Sequence, residues 1–262
     1  MPSETLDVDI SNGVGRIVMN RPDHANAFNL PLAKELVATA RAFEADPEVR
    51  AVILTGRGRF FSAGGDLGEF TAAGARVAPF LHEMTLYIHQ AISHFHRMNA
   101  PVIVSLNGTA AGGGFSLAIS GDLVVASRKA KLTMGYYKIG LSPDATSTYF
   151  LPRLVGLRRA QELMLTDRVL TAEEALDWGL VTKVVEPEAL EAEVQTMAEE
   201  IARGATLAFG GAKRLLTTSF ANGLETQAQL EAHSVAGLAE SQDAKEGMAA
   251  FLEKRAPRYE GK

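Results

Sequence analysis

The chain has 262 residues and no cysteine, which excludes disulfides, thiolate metal sites and a cysteine nucleophile. Its formal net charge of −5 argues against a general binder of nucleic acid or of membrane surfaces. With 47% hydrophobic and 22% charged residues, the composition is typical of a globular protein with one sizeable core.

No targeting or membrane segment is predicted. The first ten residues have neither the basic start nor the apolar core of a signal peptide. The most apolar long window, residues 101–120, is interrupted by polar residues and by four glycines, so it is no membrane span. We therefore expect a cytoplasmic protein.

The first half of the chain is predicted to alternate strands and helices. Ser11-Asn12-Gly13 separates two apolar segments in the manner of a hairpin turn, and Asn29 can cap a helix that has Pro31 in its first turn. The predicted elements are a hairpin over 5–10 and 14–19, a helix from 29 to about 46, a strand over 51–55, a helix over about 77–98, a strand over 102–106, a short helix after Gly113, and strands over 123–126 and about 131–134.

After residue 145 the pattern becomes helical. Thr171-Ala-Glu-Glu174 fits a capping box, and residues 180–185 are typical of an edge strand. Further helices are predicted near 188–203, 206–219, 224–239 and 241–254. The fold class is therefore α/β, and we expect a mixed β/α catalytic core over residues 1–195 and a helical region over residues 196–262, without a flexible linker between them.

Two glycine-rich junctions follow apolar strands. One is Asn107-Gly-Thr-Ala-Ala-Gly-Gly-Gly114, and the other runs from Ser62 to Gly65. Glycines at such places let backbone N–H groups approach a ligand and point at developing negative charge, although a tight turn with close helix–strand packing is an open alternative. Two junctions of this kind can each give one N–H to the same oxygen, which is how a two-donor oxyanion hole is built.

The segments Asn20–Asn29, Phe61–Leu67 and Asn107–Gly114, in this order, closely resemble the crotonase, or enoyl-CoA hydratase/isomerase, superfamily. The resemblance continues through Leu154–Thr166 and Ala172–Val181. It implies a spiral of β-β-α turns with a C-terminal helical trimerisation region, and hence a homotrimer or a dimer of trimers. It also implies an acyl-CoA thioester substrate, with coenzyme A as part of that substrate and with no separate cofactor, metal, nucleic acid or membrane partner. Members differ in chemistry, so the superfamily does not fix the reaction.

The resemblance places the two oxyanion donors on the backbone N–H groups of Gly65 and Gly113, where they would hold the thioester carbonyl as it becomes an enolate. The hydratase template also needs two glutamates around a water. The corresponding positions here are Ser116 and Tyr136, and neither is a carboxylate. Simple hydration by that mechanism is therefore not expected.

Asp144 is the carboxylate that remains near these positions. A helix N-cap is one interpretation of its place after a proline and before Ala145. By resemblance, its position also matches an aspartate of two crotonase branches. In ring-1,2-epoxyphenylacetyl-CoA isomerase-like enzymes this aspartate is a proton-transfer base, and in 4-chlorobenzoyl-CoA dehalogenase it is the nucleophile.

The two branches differ in what else they require. His89 falls where the dehalogenase carries a histidine that helps water to hydrolyse the aryl-enzyme ester, although a histidine in a long helix is commonly a surface or packing residue. The dehalogenase also has a tryptophan where this chain has Tyr136. Isomerisation needs one carboxylate and no activated water. We therefore predict an enoyl-CoA isomerase, with a hydrolytic dehalogenase as the alternative and with a hydratase or a non-catalytic binding protein less favoured.

Two further groups of residues are predicted to contact the substrate by resemblance. Arg21 and His24 could meet phosphate, although exposed loop cations are commonly only solvated. The predicted coenzyme A contacts are Arg21, His24, Ala25, Ala27, Ala63, Gly64, Asp66 and Leu67. The predicted acyl-pocket residues are Tyr136, Ser116, Met84 and Ile88, for which core packing is the alternative interpretation.

Overall fold

The computed structural model describes residues 4–166 and 168–262, so the first three residues of the N-terminal segment and Asp167 lie outside the described residues. The strands are β1 (Leu6–Ser11), β2 (Val14–Met19), β3 (Ala51–Gly56), β4 (Phe60–Ser62), β5 (Val102–Leu106), β6 (Thr109–Ala111), β7 (Leu123–Ser127), β8 (Lys131–Thr133), β9 (Leu170–Thr171) and β10 (Lys183–Val185). The helices are α1 (Leu30–Ala45), α2 (Leu67–Ala72), α3 (Val77–Arg97), α4 (Gly113–Ile119), α5 (Ser147–Val155), α6 (Leu157–Thr166), α7 (Ala172–Asp177), α8 (Leu190–Ala202), α9 (Thr206–Ser219), α10 (Leu224–Ala239) and α11 (Gln242–Glu253).

The strands form two sheets. The larger sheet has the order β1-β2-β3-β5-β7-β10, in which β1 and β2 are the predicted antiparallel hairpin and the remaining pairs are parallel. The smaller sheet has the order β4-β6-β8-β9. Along the chain, β3, β5 and β7 of the large sheet are each followed by one strand of the small sheet and then by a helix. This repeat confirms the predicted β-β-α spiral, and β10 lies at the sheet edge as predicted.

Local side-chain chemistry sets two of the helix starts. The Asn29 side chain accepts the Leu32 N–H at 3.0 Å at the start of α1. Thr171 and Glu174 form a reciprocal capping box at the start of α7. Each cap satisfies amide groups that the first helical turn leaves without partners, and such a cap contributes about 1 kcal/mol. Both caps confirm the sequence predictions.

Helices cover both faces of the large sheet. On one face α1 and α3 pack together and bury residues such as Leu36 and Ile92 in the main core. On the other face α8 packs Val194 and Ala198 against β3 and β5, in one cluster with Ile53. The predicted boundary at residue 195 thus lies inside α8, and the packed sheet core extends to the end of that helix.

The last helices are much less buried than the core. Every residue of α10 is at least partly exposed to solvent. Large apolar side chains on α10 and α11 are open, including Leu224 at 79% and Phe251 at 82% of their full exposure. Within the described residues, no helix is both long enough and apolar enough to cross a membrane.

Candidate active site

The two glycine junctions meet at the end of the small sheet. β4 and β6 are parallel neighbours, so the segments that follow them leave the sheet side by side. Gly64 has a φ of +87°, and a Cβ built on it would lie 2.9 Å from the Gly113 nitrogen and 2.7 Å from the Ala111 oxygen. Only glycine fits such a close backbone approach. The structure thus brings together the junctions that the sequence places 48 residues apart, from Gly65 to Gly113.

The amides predicted as oxyanion donors are available to a ligand. Gly113 is the first residue of α4, so its N–H has no partner inside that helix. Among the described residues, neither Gly65 nor Gly113 donates its N–H to a loop or turn carbonyl. Both glycines line a cavity of about 370 Å³. The arrangement can therefore hold an oxygen that gains negative charge.

Asp66 fixes the segment that carries Gly65. Its side chain caps α2 by accepting the N–H groups of Gly68 and Glu69, and it pairs with Arg21 at 3.0 Å. Burial opposes ionisation of Asp66, but these donors outweigh it and lower the pKa of Asp66 below its usual value. The Arg21 guanidinium also donates to the Ala27 carbonyl. Both terminal nitrogens of the Arg21 guanidinium thus donate to partners within the protein, and contact of Arg21 with a phosphate stays a prediction.

Asn26, in the loop that connects β2 to α1, has a role that the sequence analysis missed. It is fully buried, and its side-chain amide donates to the carbonyls of Arg57 and Phe60 and accepts the Arg21 N–H. Ala25 and Asn26 both have φ near +50°, a conformation that asparagine tolerates better than most residues. The left-handed preference of asparagine is the signal that could have indicated this role. Asn26 fastens the loop beside the glycine junctions.

Other predicted coenzyme A contacts differ in burial. His24 is exposed, and Ala27, whose N–H donates to the His24 carbonyl, is buried. Ala63 and Leu67 line the cavity together with Gly65. Of the eight predicted contact residues, Ala63 and Leu67 line the cavity, and contact of any of the eight with coenzyme A stays a prediction.

Asp144 faces the cavity and caps no helix. α5 begins at Ser147 with Thr146 as its N-cap residue, so the N-cap interpretation of Asp144 is wrong. Ala145 and Thr146 have φ of +48° and +63°, and this double left-handed turn takes the Asp144 side chain away from the helix start. The carboxylate instead accepts a hydrogen bond from the Tyr136 hydroxyl at 2.5 Å.

The surroundings of Asp144 make it a better base than an exposed carboxylate. Burial raises the pKa of Asp144 above its usual value, although the hydrogen bond from Tyr136 acts in the opposite direction. Burial and the Asp144 charge also raise the pKa of the Tyr136 phenol, so the phenol keeps its proton. A Cβ built on Gly113 would lie 3.6 Å from Asp144 Oδ1, so this carboxylate lies next to a predicted oxyanion donor.

His89 supports the segment that carries Asp144. It reaches across from α3, and its Nε2 accepts the Ala145 N–H at 3.1 Å. His89 is therefore a partly buried residue with a polar partner, not a surface residue. The lone pair of Nε2 is occupied by this contact, which leaves it unavailable to take a proton from water.

The cavity wall is mainly apolar. Met84 and Ile88 from α3 line it together with Tyr136, as predicted. Ser116 is fully buried behind Tyr136, with its Oγ 3.3 Å from the phenol oxygen, so its placement on the pocket wall was wrong. Among the described residues that line the cavity, Asp144 is the one carboxylate.

A β-β-α spiral whose paired glycine junctions border an apolar cavity is the crotonase fold. The chain belongs to the enoyl-CoA hydratase/isomerase family, because the model of that family matches residues 9–262. It is thus an acyl-CoA enzyme of that family.

Similar proteins carry different activities. The chain is 36% identical to a 1,2-epoxyphenylacetyl-CoA isomerase of Escherichia coli, over 97% of each chain. It is 33% identical to a 4-chlorobenzoyl coenzyme A dehalogenase of Arthrobacter sp, over 88% of this chain and 84% of that one. A crystal structure of an enoyl-CoA hydratase from Bacillus anthracis matches with a TM-score of 0.92 and 34% identity, over 99% of this chain and 100% of that one. Both branches expected from the sequence are therefore among its relatives.

Proposed function

We propose that this protein is an enoyl-CoA isomerase that moves a double bond of an acyl-CoA thioester. The observation that carries the proposal is the single cavity carboxylate, Asp144, beside the Gly113 amide. One carboxylate that takes a proton from one carbon and returns it to another is sufficient for double-bond migration.

In the proposed reaction, each of these groups has one task. The thioester oxygen of a 3-enoyl-CoA accepts the N–H groups of Gly65 and Gly113. Asp144 removes a proton from the α carbon, and the C–H electron pair moves into a dienolate whose negative charge is on that oxygen. Asp144 then returns the proton to the γ carbon, which yields the 2-enoyl-CoA. Each backbone donor contributes roughly 3 kcal/mol to the stability of the transition state.

Hydration is less well supported by the same cavity. Adding water across a double bond needs one group to activate the water and one to protonate the carbon. Ser116 and Tyr136 stand at the two positions where the hydratase template has glutamates. The Tyr136 hydroxyl already donates its proton to Asp144, and Ser116 is buried behind Tyr136, so neither position supplies the carboxylate that the hydratase template uses.

A hydrolytic dehalogenase would need a further base. In that reaction Asp144 would attack an aryl carbon, and a second group would activate water to cleave the resulting ester. His89 is the candidate for the second group, and its Nε2 already accepts the Ala145 N–H. The contact therefore favours isomerisation over dehalogenation.

The apolar wall indicates the class of acyl group. Met84, Ile88, Phe70 and Leu81 line the part of the cavity that we assign to the acyl chain. A charged acyl terminus would lose its hydration there without finding a partner. We therefore expect an uncharged, apolar acyl group.

Turnover with three thioester classes tests the proposal. A 3-enoyl-CoA should be converted to the 2-enoyl-CoA, while a 2-enoyl-CoA should not be hydrated and a 4-halobenzoyl-CoA should release no halide. Asp144→Asn should lower kcat by about 10²–10⁴ with acyl-CoA affinity nearly unchanged, because the carboxylate acts in the transition state. Ser142→Ala, at another polar side chain of the cavity wall, is the matched control and should retain turnover. Undiminished isomerisation by Asp144→Asn would contradict the proposal, and halide release would support the dehalogenase.

A further inference from the structure

Two hydroxyl groups, of Tyr136 and Ser116, are linked to the Asp144 carboxylate by successive contacts. Tyr136 begins a short 3₁₀ turn, and its hydroxyl lies 2.5 Å from Asp144 Oδ1 and 3.3 Å from Ser116 Oγ. Ser116 Oγ lies in turn 3.2 Å from the Gly112 carbonyl oxygen. The chain of contacts thus runs from the carboxylate to the segment that carries the Gly113 donor.

The direction of these hydrogen bonds follows from the groups involved. A carboxylate only accepts, so the phenol must donate its one proton to ionised Asp144. The phenol oxygen can then accept from Ser116, whose one proton goes either to the phenol oxygen or to the Gly112 carbonyl oxygen. Donation to the phenol is the arrangement that orients Tyr136. A buried polar group is costly without a partner, and this arrangement gives a partner to each of the three side chains.

We propose that Tyr136, oriented by Ser116, is a positioning residue that stabilises the ionised form of Asp144 and holds it as the base. This inference rests on the proposed isomerase function. It assigns a shared task to the two side chains that stand where the hydratase template has glutamates. A hydrogen bond from a neutral donor favours the charged form of a carboxylate over the neutral form.

Few other groups can influence Asp144. The titratable side chains that face it are Tyr136 from the turn after β8 and His89 from α3. No other acidic or basic side chain lines the cavity in the described part of the chain. A change in the ionisation of Asp144 after substitution of Tyr136 can therefore be assigned to the lost hydrogen bond.

The pH profile of kcat/KM tests the proposal. In Tyr136→Phe the acid limb should move to higher pH by about one to two units, because a hydrogen bond to a charged group is lost. Above the shifted limb the rate should recover much of its wild-type value. A merely structural role would lower the rate equally at every pH. Tyr137→Phe is the matched control, since Tyr137 lies in the same turn but is 52% exposed, and its acid limb should not move.

A second variant and a second measurement keep the test open if Tyr136→Phe folds poorly. Ser116→Ala keeps the phenol but removes its orienting partner, so it should shift the acid limb in the same direction by less. Titration of the Asp144 carboxyl carbon by NMR in the ligand-free protein should show the same shift without any substrate. An unchanged NMR titration in both variants would overturn the inference. A shifted titration in a protein that does not isomerise enoyl-CoA would overturn the proposed function and leave this inference standing.

Discussion

His89 Nε2 and the Ala145 N–H form a hydrogen bond of 3.1 Å that links α3 to the turn before α5. The bond joins the helix that forms one cavity wall to the segment that presents Asp144. Because the donor is a backbone amide, any side chain of similar reach with an acceptor atom can replace the histidine.

Two substitutions of His89 should therefore behave differently. His89→Gln can keep an acceptor near the Ala145 N–H, so its isomerase rate should stay within about tenfold of the wild type. His89→Leu leaves this partly buried amide without a partner and should lower the free energy of unfolding by about 1–3 kcal/mol. Denaturant unfolding and steady-state kinetics check both expectations. Loss of isomerase activity in His89→Gln, with an unchanged free energy of unfolding, would instead indicate a chemical role for the imidazole.

Asp144→Asn should stabilise the ligand-free protein at neutral pH. Burial raises the pKa of Asp144 in the folded state, so folding favours the protonated carboxyl. The contribution of Asp144 to stability is fully present below its ordinary pKa, near 3.8. This contribution is lost as the pH rises through the raised pKa of Asp144 in the folded protein. The variant should thus exceed the wild type in Tm at pH 7, and the difference should vanish toward pH 4.

Thermal unfolding across this pH range provides the measurement for Asp144→Asn. The control is Asp9→Asn. Because Asp9 is exposed on β1, this variant should have the same Tm as the wild type at each pH. A Tm of Asp144→Asn below that of the wild type at pH 7 would show that the carboxylate supports the fold.

Gly64→Ala should separate the two donor segments. The new Cβ would lie 2.7 Å from the Ala111 oxygen, in a backbone conformation with φ of +87°. Gly74→Ala also demands positive φ, but nothing lies within 4 Å of its Cβ, so it reports conformational strain alone, about 1–2 kcal/mol. We expect Gly64→Ala to lower kcat by about 10² or more through loss of a donor, and Gly74→Ala to keep normal turnover. Equal kinetic effects in the two variants would contradict the predicted donor pair.

The protein should assemble as a trimer or a dimer of trimers. Leu224 and Val235 of α10 and Phe251 and Leu252 of α11 are each at least 68% exposed, which is costly for large apolar side chains in water. Light scattering at micromolar concentration should therefore give three or six chains. Val235→Asp should reduce that mass, whereas Val8→Asp, on β1, should not. A monomer in the unmodified protein would contradict this prediction.

Local interactions explain why much of the fold could be predicted. Asn29 and Thr171 each act on a residue three positions away, so their capping roles are visible in a short sequence window. The glycine junctions are equally local, and their order along the chain indicated the family. Predicting the fold therefore required little more than these local signals, the family that they indicate and the periodicity of the apolar residues.

The site was less predictable because its contacts join distant segments. His89 and Ala145 are 56 residues apart, and Ser116 and Tyr136 are 20 apart, so neither contact has a short-range pattern. Asp144 was ambiguous for a different reason. Its sequence context is that of a helix cap. The backbone turns away from that arrangement because Ala145 and Thr146 both adopt positive φ, which neither alanine nor threonine favours, so the sequence does not predict the turn.

Gly65 and Phe70 have a consequence for any redesign of this enzyme. A Cβ on Gly65 would lie 2.2 Å from the tip of the Phe70 ring, so the ring fills the space that any larger residue at 65 would need. The same ring lines the cavity. Replacing Phe70 by a smaller residue to admit bulkier acyl groups would also open room for water beside the Gly65 amide, the predicted oxyanion donor, whose hydrogen bond is stronger in a site without water. Engineering of acyl scope should therefore begin on the α3 wall, at Met84 and Ile88, and leave the aromatic wall intact.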